Sequence, residues 1–532
     1  MFSALSSRTP RSFSRAAVNP RVSVSSIQNL RPAQHTARPG QPPEPRAARR
    51  VVDRRTAIVC GYARDPARRL ALRPRAPRAT SQRVLRRVLI ANRGEIARRV
   101  IRACRDLGVE TVAVYSEADA GAPFVREADA AFPIGPSPAR DSYLNAPALL
   151  VALKESGADA VHPGYGFLSE NAAFADAVRD AGAIFVGPPA SAIRAMGDKA
   201  AARRLMREAG VPVTPGTGLL GDADAAVAAA ETLGYPVMVK ASAGGGGIGM
   251  VPCEDEAQLR RGFASAVGRA QASFGNGAVY LERLVHGARH VEIQIAADAH
   301  GAVVHLFERE CSVQRRHQKV IEEAPAPNLA PAVRDAMGDA ALRAARAIGY
   351  RNVGTLEFLL APSGEFYFME MNTRLQVEHP VTEWTTGVDL VQLQLRLAAG
   401  EPLGLAQADL AQTGHAIELR LYAEDPARGF LPSPGEVTRL VWPSGADVRV
   451  DAGIEQGSKV TPFYDPLLAK LIVRGETREA AIGRGREALR TLSVEGVKTN
   501  APLLARVLAD PAFFRGEVSI HYLSRLLEQK QG

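Results

Sequence analysis

The chain has 532 residues, of which 46% are hydrophobic and 23% are charged. It is therefore long enough for more than one domain and apolar enough to bury several cores. No run of 18 apolar residues is free of charge, so a membrane-spanning helix is not predicted. The four cysteines lie far apart, which argues against a disulfide framework or a zinc site and suits a reducing compartment.

The net charge of +10 is concentrated at the N-terminus. Residues 1–87 contain 20 arginines, no lysine and three acidic residues, a net charge of +17, which leaves −7 for residues 88–532. Binding of nucleic acid by the body is therefore not expected. The Ser-, Arg-, Pro- and Ala-rich start is typical of an organellar transit peptide, which would place the protein in a matrix or stroma. The alternatives are a disordered basic extension or extra sequence before the true start, with a cytoplasmic protein, and lastly an RNA-binding arm.

Short apolar runs alternate with helical patterns in the first part of the body. The predicted strands are 88–91, 111–115, 158–161 and 183–186, and a helix over 95–107 follows the turn at Gly94. Strands that alternate with helices predict an α/β fold with a doubly wound parallel sheet. Such sheets often bind nucleotides, although one glycine at a strand–helix turn is weak support for that function.

The rest of the body mixes strand and helix signals, an α+β pattern. A helical linker is expected over 190–212, a small β-rich piece over about 213–284, and a β-rich C-terminal segment that ends in a helix over 478–492. No internal repeat is visible.

A run of four glycines follows a predicted strand that ends at Lys240. The sequence over 243–250 is AGGGGIGM. Glycines allow backbone N–H groups to approach phosphate oxygens closely, and Lys240 adds a cation. No Gly-Lys-Ser/Thr follows, so this is not a Walker loop. The segment predicts a hairpin lid over a phosphate group, with a merely flexible hairpin as the alternative.

Two apolar runs that flank a Pro-Ser-Gly turn predict a second hairpin. If Ser363 and Gly364 form a two-residue turn, Glu357 and Glu370 lie directly opposite each other, about 5 Å apart. Two such carboxylates repel, and a divalent cation such as Mg²⁺ removes the conflict. Asn372 shares the face of Glu370. A solvated hairpin face is the alternative, and a four-residue loop would shift the register.

Two polar motifs suggest anion binding. Arg374, Gln376 and Glu378 alternate, so a guanidinium and an amide could grip a small planar oxyanion while the carboxylate accepts its proton. In isolation a surface ion pair explains them better. His317 and Lys319 lie in a charged run that is either a solvated face or a partner for a polyphosphate.

Six motifs occur in the order found in the biotin carboxylase family of the ATP-grasp superfamily. They are LIANRGEIA at 89–97, HPGYGFLSEN at 162–171, MGDK at 196–199, CSVQRRHQK at 311–319, EMNTRLQVEHP at 370–380 and RLYAEDP at 420–426. On these motifs, the region from residue 87 to 529 resembles that family. The implied organisation is a basic extension (1–87), a Rossmann-like domain (88–198), an ATP-grasp domain (199–400, with the glycine-rich lid over about 213–284) and a β-rich C-terminal domain (415–525).

The resemblance also implies roles for individual residues. The implied ATP contacts are Lys199, Lys240, Gly246, Gly247, Glu282, Arg283, Leu284, Val285, His290, Gln314 and His317. The implied ligands of Mg²⁺ (or Mn²⁺) are Glu357, Glu370 and Asn372. The implied bicarbonate contacts are Lys319, Arg374, Gln376 and the Val377 amide. Lys319 and Arg374 are also implied catalytic residues, with Glu378 as the base and Arg420 as the residue that binds biotin and stabilises its enolate-like form.

The implied reaction is ATP-dependent carboxylation of biotin by bicarbonate, the first half-reaction of an acetyl-CoA or other acyl-CoA carboxylase. No Met-Lys pair is present to carry biotin and no transferase-sized region remains. The biotin carboxyl carrier protein and the carboxyltransferase are therefore expected to be separate chains, and the family suggests a homodimer. Another bicarbonate-using ATP-grasp ligase and a non-catalytic regulatory subunit are the alternatives. Ala243 and Ile248 depart from the family pattern in the lid, at positions where many members have Gly and Arg.

Overall fold

The computed structural model describes residues 84–242 and 249–529. Most of the predicted N-terminal extension therefore lies outside the described residues, as do Gly246, Gly247 and the two departures in the lid. The folded body begins slightly earlier than predicted. Leu85 is buried in the core, and the Arg86 N–H donates to the Asp159 carboxylate at 3.1 Å.

A five-stranded parallel sheet with the order β3-β2-β1-β4-β5 forms the N-terminal layer, as predicted. Its strands are β1 (Arg87–Ile90), β2 (Glu110–Tyr115), β3 (Ala130–Pro133), β4 (Ala160–His162) and β5 (Ile184–Phe185). The helices are α1 (Gly94–Leu107), α2 (Pro123–Glu127), α3 (Ala146–Ser156), α4 (Ala172–Asp180) and α5 (Ala190–Gly197). In the central strand β1, Val88 and Ile90 pack into one apolar cluster and Leu89 into another. Both faces of the sheet are thus covered, as expected for a parallel sheet.

A small three-stranded antiparallel sheet, β7-β6-β8, follows the helix α6 (Lys199–Glu208). Its elements are α7 (Ala223–Leu233), β6 (Val237–Ala241), β7 (Val251–Cys253), α8 (Glu256–Phe274) and β8 (Val279–Arg283). The expectation of a β-rich piece was wrong here, because two helices cover this sheet. Both helices begin at an aspartate, Asp222 and Asp255, whose side chain caps the first turn. Val239 lies opposite Val251, so the glycine-rich segment connects two antiparallel neighbours.

The central sheet has eight strands in the order β13-β12-β9-β10-β11-β14-β21-β19. Its first part contains β9 (Arg289–Ala297), β10 (Val303–Arg315), β11 (Gln318–Ala324), β12 (Asn352–Leu360) and β13 (Phe366–Asn372). The helices of this part are α9 (Pro331–Ala347), α10 (His379–Thr386) and α11 (Leu390–Ala398).

The C-terminal region extends this same sheet with β14, β21 and β19, and its remaining strands form three two-stranded sheets, β15-β16, β17-β20 and β18-β22. Its strands are β14 (His415–Tyr422), β15 (Glu424–Asp425), β16 (Leu431–Pro432), β17 (Gly435–Glu436), β18 (Arg439–Val441), β19 (Val448–Ala452), β20 (Lys459–Val460), β21 (Leu467–Gly475) and β22 (Ser493–Glu495). The helices are α12 (Arg478–Thr491), α13 (Ala501–Ala509), α14 (Pro511–Phe514) and α15 (Tyr522–Glu528). Because β14 pairs with β11, the C-terminal Arg420 lies close to the strand that carries Lys319. Among the described residues, no helix is both long and apolar enough to cross a membrane.

Candidate active site

A cavity of about 970 Å³ opens between the N-terminal layer, the small three-stranded sheet and the central sheet. The predicted site residues that line it are Lys199, Lys240, Glu282, Arg283, Leu284, Val285, His290, Gln314, His317, Lys319, Glu357, Glu370, Asn372, Arg374, Gln376, Val377 and Arg420. Of the predicted site residues in the described part of the chain, only Glu378 is absent from the lining. Residues scattered over more than 200 positions of sequence thus converge on one cavity.

The predicted pairing of Glu357 with Glu370 is confirmed, although the turn is not the one assumed. The loop has three residues, 362–364, since the Ala361 N–H donates to the Glu365 carbonyl at 2.8 Å. A bulge at Met369 then shifts the register by one residue and returns Glu370 to the position opposite Glu357. Both acids line the cavity as a result.

The acids of this hairpin suit a hard divalent cation. Glu357 accepts hydrogen bonds from Asn372 at 2.8 Å and from Gln376 at 3.1 Å. Burial favours its protonated form, but Lys319 and His290 hold the pKa of Glu357 well below its usual range. Glu370 is less buried and pairs with Lys199 at 2.9 Å. Carboxylate and amide oxygens around a charged pocket match the ligands that Mg²⁺ prefers.

Lys319 is the electrostatic centre of the site. Its ammonium lies 2.6 Å from Glu292, 2.8 Å from Glu357 and 2.6 Å from Glu378. Although burial opposes the charged form, these three carboxylates raise the pKa of Lys319 well above its usual value. The run of charges at 314–319 is therefore not a solvated face at Lys319.

Glu378 lies behind the cavity wall, with no exposed side-chain surface. Besides Lys319, it contacts the Arg420 guanidinium at 2.8 Å. Burial would raise the pKa of Glu378, but Lys319 and Arg420 hold it well below its usual range. The predicted base is therefore ionised. It contacts Lys319 and Arg420, and both of these cations line the cavity.

The alternation of Arg374, Gln376 and Glu378 did not indicate one extended face. Strand β13 ends at Asn372, and Glu378 is the residue from which α10 begins. Arg374 and Gln376 line the cavity and lie 3.1 Å apart, whereas Glu378 turns into the core. The turn therefore places Arg374 and Gln376 on the cavity wall and Glu378 behind it, with no strand over these three residues.

Arg420 has a second acidic partner, and Arg374 has an acidic partner, that the sequence did not indicate. The Nε of Arg420 lies 2.6 Å from Glu322, and burial raises the pKa of Glu322 to about 7 against the opposing effect of Arg420. Arg374 pairs with Glu170 at 2.9 Å. Glu170 lies in the HPGYGFLSEN motif, so its position in a recognised motif was the available signal.

The predicted nucleotide contacts line the same cavity. Lys240 pairs with Glu282 at 2.5 Å, which favours its charged form. Burial and the neighbouring cations Lys199 and Arg203 nevertheless lower the pKa of Lys240 to about 7. The Leu284 N–H donates to the Pro236 carbonyl at 3.0 Å, which fixes the strand end beside the cavity.

On strand β9 of the central sheet, His290 lies between an amide and an acid. Gln314 Nε2 is 2.7 Å from His290 Nδ1, and His290 Nε2 is 3.2 Å from Glu357. His317 lies in the tight turn between β10 and β11 with a φ of 67° and is exposed at the cavity edge. All three predicted contacts thus reach the cavity.

Several further cavity residues were not predicted. They include Asn92, Glu95, Tyr165, Tyr280, Tyr464 and His521. The first three lie in motifs that carried the family resemblance but received no individual role. Tyr280, Tyr464 and His521 follow no pattern that sequence alone would single out.

A parallel layer, a small covering sheet and a central sheet whose acids face lysines define the ATP-grasp class of ATP-dependent ligases. Three family models match: "Biotin carboxylase, N-terminal domain" over residues 84–193, "Carbamoyl-phosphate synthase L chain, ATP binding domain" over 198–406 and "Biotin carboxylase C-terminal domain" over 418–525. The biotin carboxylase of Halalkalibacterium halodurans is 52% identical over 450 residues, 84% of this chain and 99% of the relative. The chain belongs to the biotin carboxylase family.

Solved structures agree with this assignment. The biotin carboxylase of Campylobacter jejuni, in a β-γ-ATP complex, superposes with a TM-score of 0.81 at 43% identity and covers 83% of this chain and 99% of its own. The biotin carboxylase domain dimer of Hydrogenobacter thermophilus 2-oxoglutarate carboxylase, with MgADP, ADP and bicarbonate, also gives 0.81, at 46% identity over 84% of this chain and 99% of its own. The resemblance inferred from six motifs is confirmed.

Proposed function

We propose that this protein carboxylates biotin on a separate carrier protein, using ATP and bicarbonate and passing through carboxyphosphate. One observation carries the proposal. Lys319 joins the buried acid Glu378 to the hairpin acid Glu357 at the wall of a single cavity. A phosphoryl-transfer centre and an anion-activating centre thus share one ammonium group.

The nucleotide end of the cavity would bind ATP. Lys199 and Lys240 would contact its phosphates, and Glu357, Glu370 and Asn372 would hold Mg²⁺. Bound Mg²⁺ would offset the negative charge on the phosphates. Solved relatives hold β-γ-ATP in one case and MgADP, ADP and bicarbonate in another, which supports binding of these ligands by this family member. Catalysis of phosphoryl transfer then depends mainly on positioning and charge.

The other end would bind bicarbonate between Arg374, Gln376, the Val377 amide and Lys319. An anion that attracts Lys319 weakens the hold of that ammonium on Glu378, so the carboxylate becomes a stronger base as its substrate arrives. Glu378 would then accept the bicarbonate proton while the bicarbonate oxygen attacks the γ-phosphorus. The products are carboxyphosphate and ADP.

Carboxyphosphate would release CO₂ and phosphate inside the closed cavity. The released phosphate would take the proton from biotin N1, and N1 would attack CO₂ to form carboxybiotin. Arg420, at the cavity wall beside Glu378, would stabilise the oxyanion of the deprotonated ureido group. Exclusion of water protects the carboxyphosphate during these steps.

The carrier and the carboxyltransferase are proposed to be other chains, and the protein is proposed to act as a homodimer. The similar Hydrogenobacter thermophilus domain is described as a dimer. Similar chains include an alpha chain of propionyl-CoA carboxylase and a subunit of pyruvate carboxylase, which act with different final acceptors. The composition of residues 1–87 supports an organellar presequence. A mature N-terminus near residue 84 in protein from its native source would support that assignment, and retention of Met1 would contradict it.

The direct test is ATP-dependent fixation of radiolabelled bicarbonate onto free biotin. We expect acid-labile label in biotin only when ATP, Mg²⁺ and bicarbonate are all present. Fixation of label without ATP, or ATP cleavage with no label in biotin, would contradict the proposal. The presence of every predicted catalytic residue in the described part of the chain argues against a non-catalytic subunit.

A further inference from the structure

Val377 lines the cavity and lies between Gln376 and Glu378 in the chain. Its N–H makes no hydrogen bond to another described residue, so this backbone donor is available to a ligand. A backbone donor binds an anion well only when its direction is fixed in advance. Two buried side chains outside the proposed reaction supply that constraint.

His379 fixes the peptide that contains this N–H. Its Nδ1 lies 2.8 Å from the Gln376 carbonyl, which can only accept, so Nδ1 carries the proton. The Gln376 carbonyl and the Val377 N–H belong to one planar trans peptide and point in opposite directions. Holding the carbonyl on His379 therefore turns the N–H away from the core.

Lys470 fixes the next peptide. Its ammonium has no exposed surface and donates to the Val377 carbonyl at 2.9 Å. It also lies 3.3 Å from Glu95 of the N-terminal layer, and Glu95 accepts from the hydroxyl of the cavity residue Tyr165. Both peptides that flank Val377 are thus anchored, one to α10 and one to strand β21.

His379 is suited to this task because it stays neutral. It is fully buried, and burial together with the nearby Lys470 lowers its pKa well below the usual value. Its Nε2 makes no hydrogen bond to the described residues, and the Glu383 carboxylate is 4.0 Å away. The hydrogen bond from Nδ1 is therefore the specific polar contact of the ring.

We propose that His379 and Lys470 are positioning residues that aim the Val377 N–H at the bound anion and so set the affinity for bicarbonate. This inference rests on the proposed function and deepens it. Neither side chain touches the anion, and both act through the backbone of Val377.

The test compares His379→Leu, which removes the donor, with His379→Asn, whose amide nitrogen can replace Nδ1. In bicarbonate-dependent ATP cleavage, we expect His379→Leu to raise the KM for bicarbonate by about tenfold to a hundredfold, since small misplacements of a binding group carry losses of that order. The KM for ATP should stay within about twofold, and His379→Asn should recover most of the loss. His415→Leu is the matched control, since His415 is a buried histidine that pairs with Glu323 and does not line the cavity. It should lower the melting temperature without changing the KM for bicarbonate.

A folded His379→Leu protein with an unchanged KM for bicarbonate would overturn the inference. So would equal increases in both KM values, or a His379→Asn protein no better than the leucine variant. If His379→Leu does not fold, the double variant Lys470→Met/Glu95→Gln applies the same test and removes the carboxylate that pairs with Lys470 together with its ammonium. Its expected result is the same selective rise, and an unchanged KM for bicarbonate would overturn the inference. If the wild-type protein cleaves ATP without regard to bicarbonate, the proposed function itself fails, whatever the variants do.

Discussion

The ammonium of Lys319 is 2.6 Å from Glu378, and Glu378 has no exposed side-chain surface. Lys319 itself lines the cavity. Because the same ammonium contacts Glu357 at 2.8 Å, it connects the proposed base with a proposed metal ligand. An anion that binds to this ammonium would change the electrostatic environment of both acids at once.

Replacement of the proposed base tests this relationship. Glu378→Gln keeps the size and hydrogen-bonding shape of the side chain but removes its capacity to accept a proton. We expect bicarbonate-dependent ATP cleavage to fall by about 10²- to 10⁴-fold, the usual contribution of a general base. Nucleotide binding, measured by calorimetry, should be nearly unchanged. Turnover at the wild-type rate would refute the assignment of Glu378 as the base.

Glu383 offers a matched comparison, because it is also buried between two cations but does not line the cavity. It pairs with Arg99 and Arg449 at 2.7 Å each. Glu383→Gln leaves two buried arginines without their shared carboxylate, a loss of about 3–5 kcal/mol of stability. We expect the thermal midpoint to fall by several degrees while kcat per folded protein stays within about twofold. A large fall in kcat with an unchanged midpoint would contradict this structural role.

The proposed metal site is tested by substitutions on the hairpin formed by β12 and β13. Glu370→Gln removes one proposed ligand charge, so we expect the Mg²⁺ concentration for half-maximal activity to rise by about tenfold, a loss near 1.4 kcal/mol. Chelation of Mg²⁺ should abolish activity, and added Mg²⁺ should restore it. Glu365→Gln is the control, because Glu365 is an exposed acid on the same hairpin. An equal shift in the two variants would argue against a specific ligand role for Glu370.

This hairpin also shows how far sequence reasoning reaches. The acid pair was predicted from a two-residue turn, yet the loop has three residues and the bulge at Met369 restores the register. Bulges depend on packing against neighbouring strands, so no local sequence pattern predicted this one. The pairing of Glu357 with Glu370 was therefore predicted correctly through a loop geometry that was wrong.

The stability of the fold at acidic pH is predicted to depend on His162, which is fully buried on strand β4. Its Nδ1 accepts from the Gly164 N–H at 3.0 Å, so protonation at that nitrogen would break the bond. Burial lowers the pKa of His162 to about 4 from an ordinary 6.5. Between these values the unfolded chain binds more protons than the folded one. The stabilisation is therefore complete above pH 6.5 and is lost as pH falls toward 4.

His162→Asn keeps an acceptor for Gly164 but cannot titrate. We expect its unfolding free energy to depend less steeply on pH near pH 5, by about 1.4 kcal/mol per pH unit. Urea denaturation of both proteins at several pH values measures the difference. Parallel curves for the two proteins between pH 6.5 and 4.5 would contradict the prediction.

The fold was predictable where local patterns are strong. The strands of the parallel layer were found because apolar runs such as Val88–Ile90 are buried on both faces. The helix α7 was missed, although Asp222 gives it a capping signal, because the β-like runs around it dominated the interpretation. The continuation of the central sheet from β11 into β14 joins residues almost 100 positions apart, which no periodicity can reveal.

In the site, too, local motifs were informative and contacts between distant residues could not be predicted. Motifs predicted which residues gather at the cavity, but not that Glu378 is buried behind Lys319 and Arg420. Glu292 was missed because a charged residue inside the apolar strand β9 shows its role only through partners, here Arg309 and Lys319, that lie elsewhere in the chain. Ion pairs between residues far apart in the chain are thus the part of the site that only the structure reveals.

The most direct measurement is the rate of ATP cleavage by the wild-type protein with bicarbonate and biotin varied independently. A shared centre that activates bicarbonate at the expense of ATP predicts cleavage that depends on bicarbonate and rises strongly when free biotin is added. Cleavage that proceeds equally well without bicarbonate, or that is indifferent to biotin, would contradict the account.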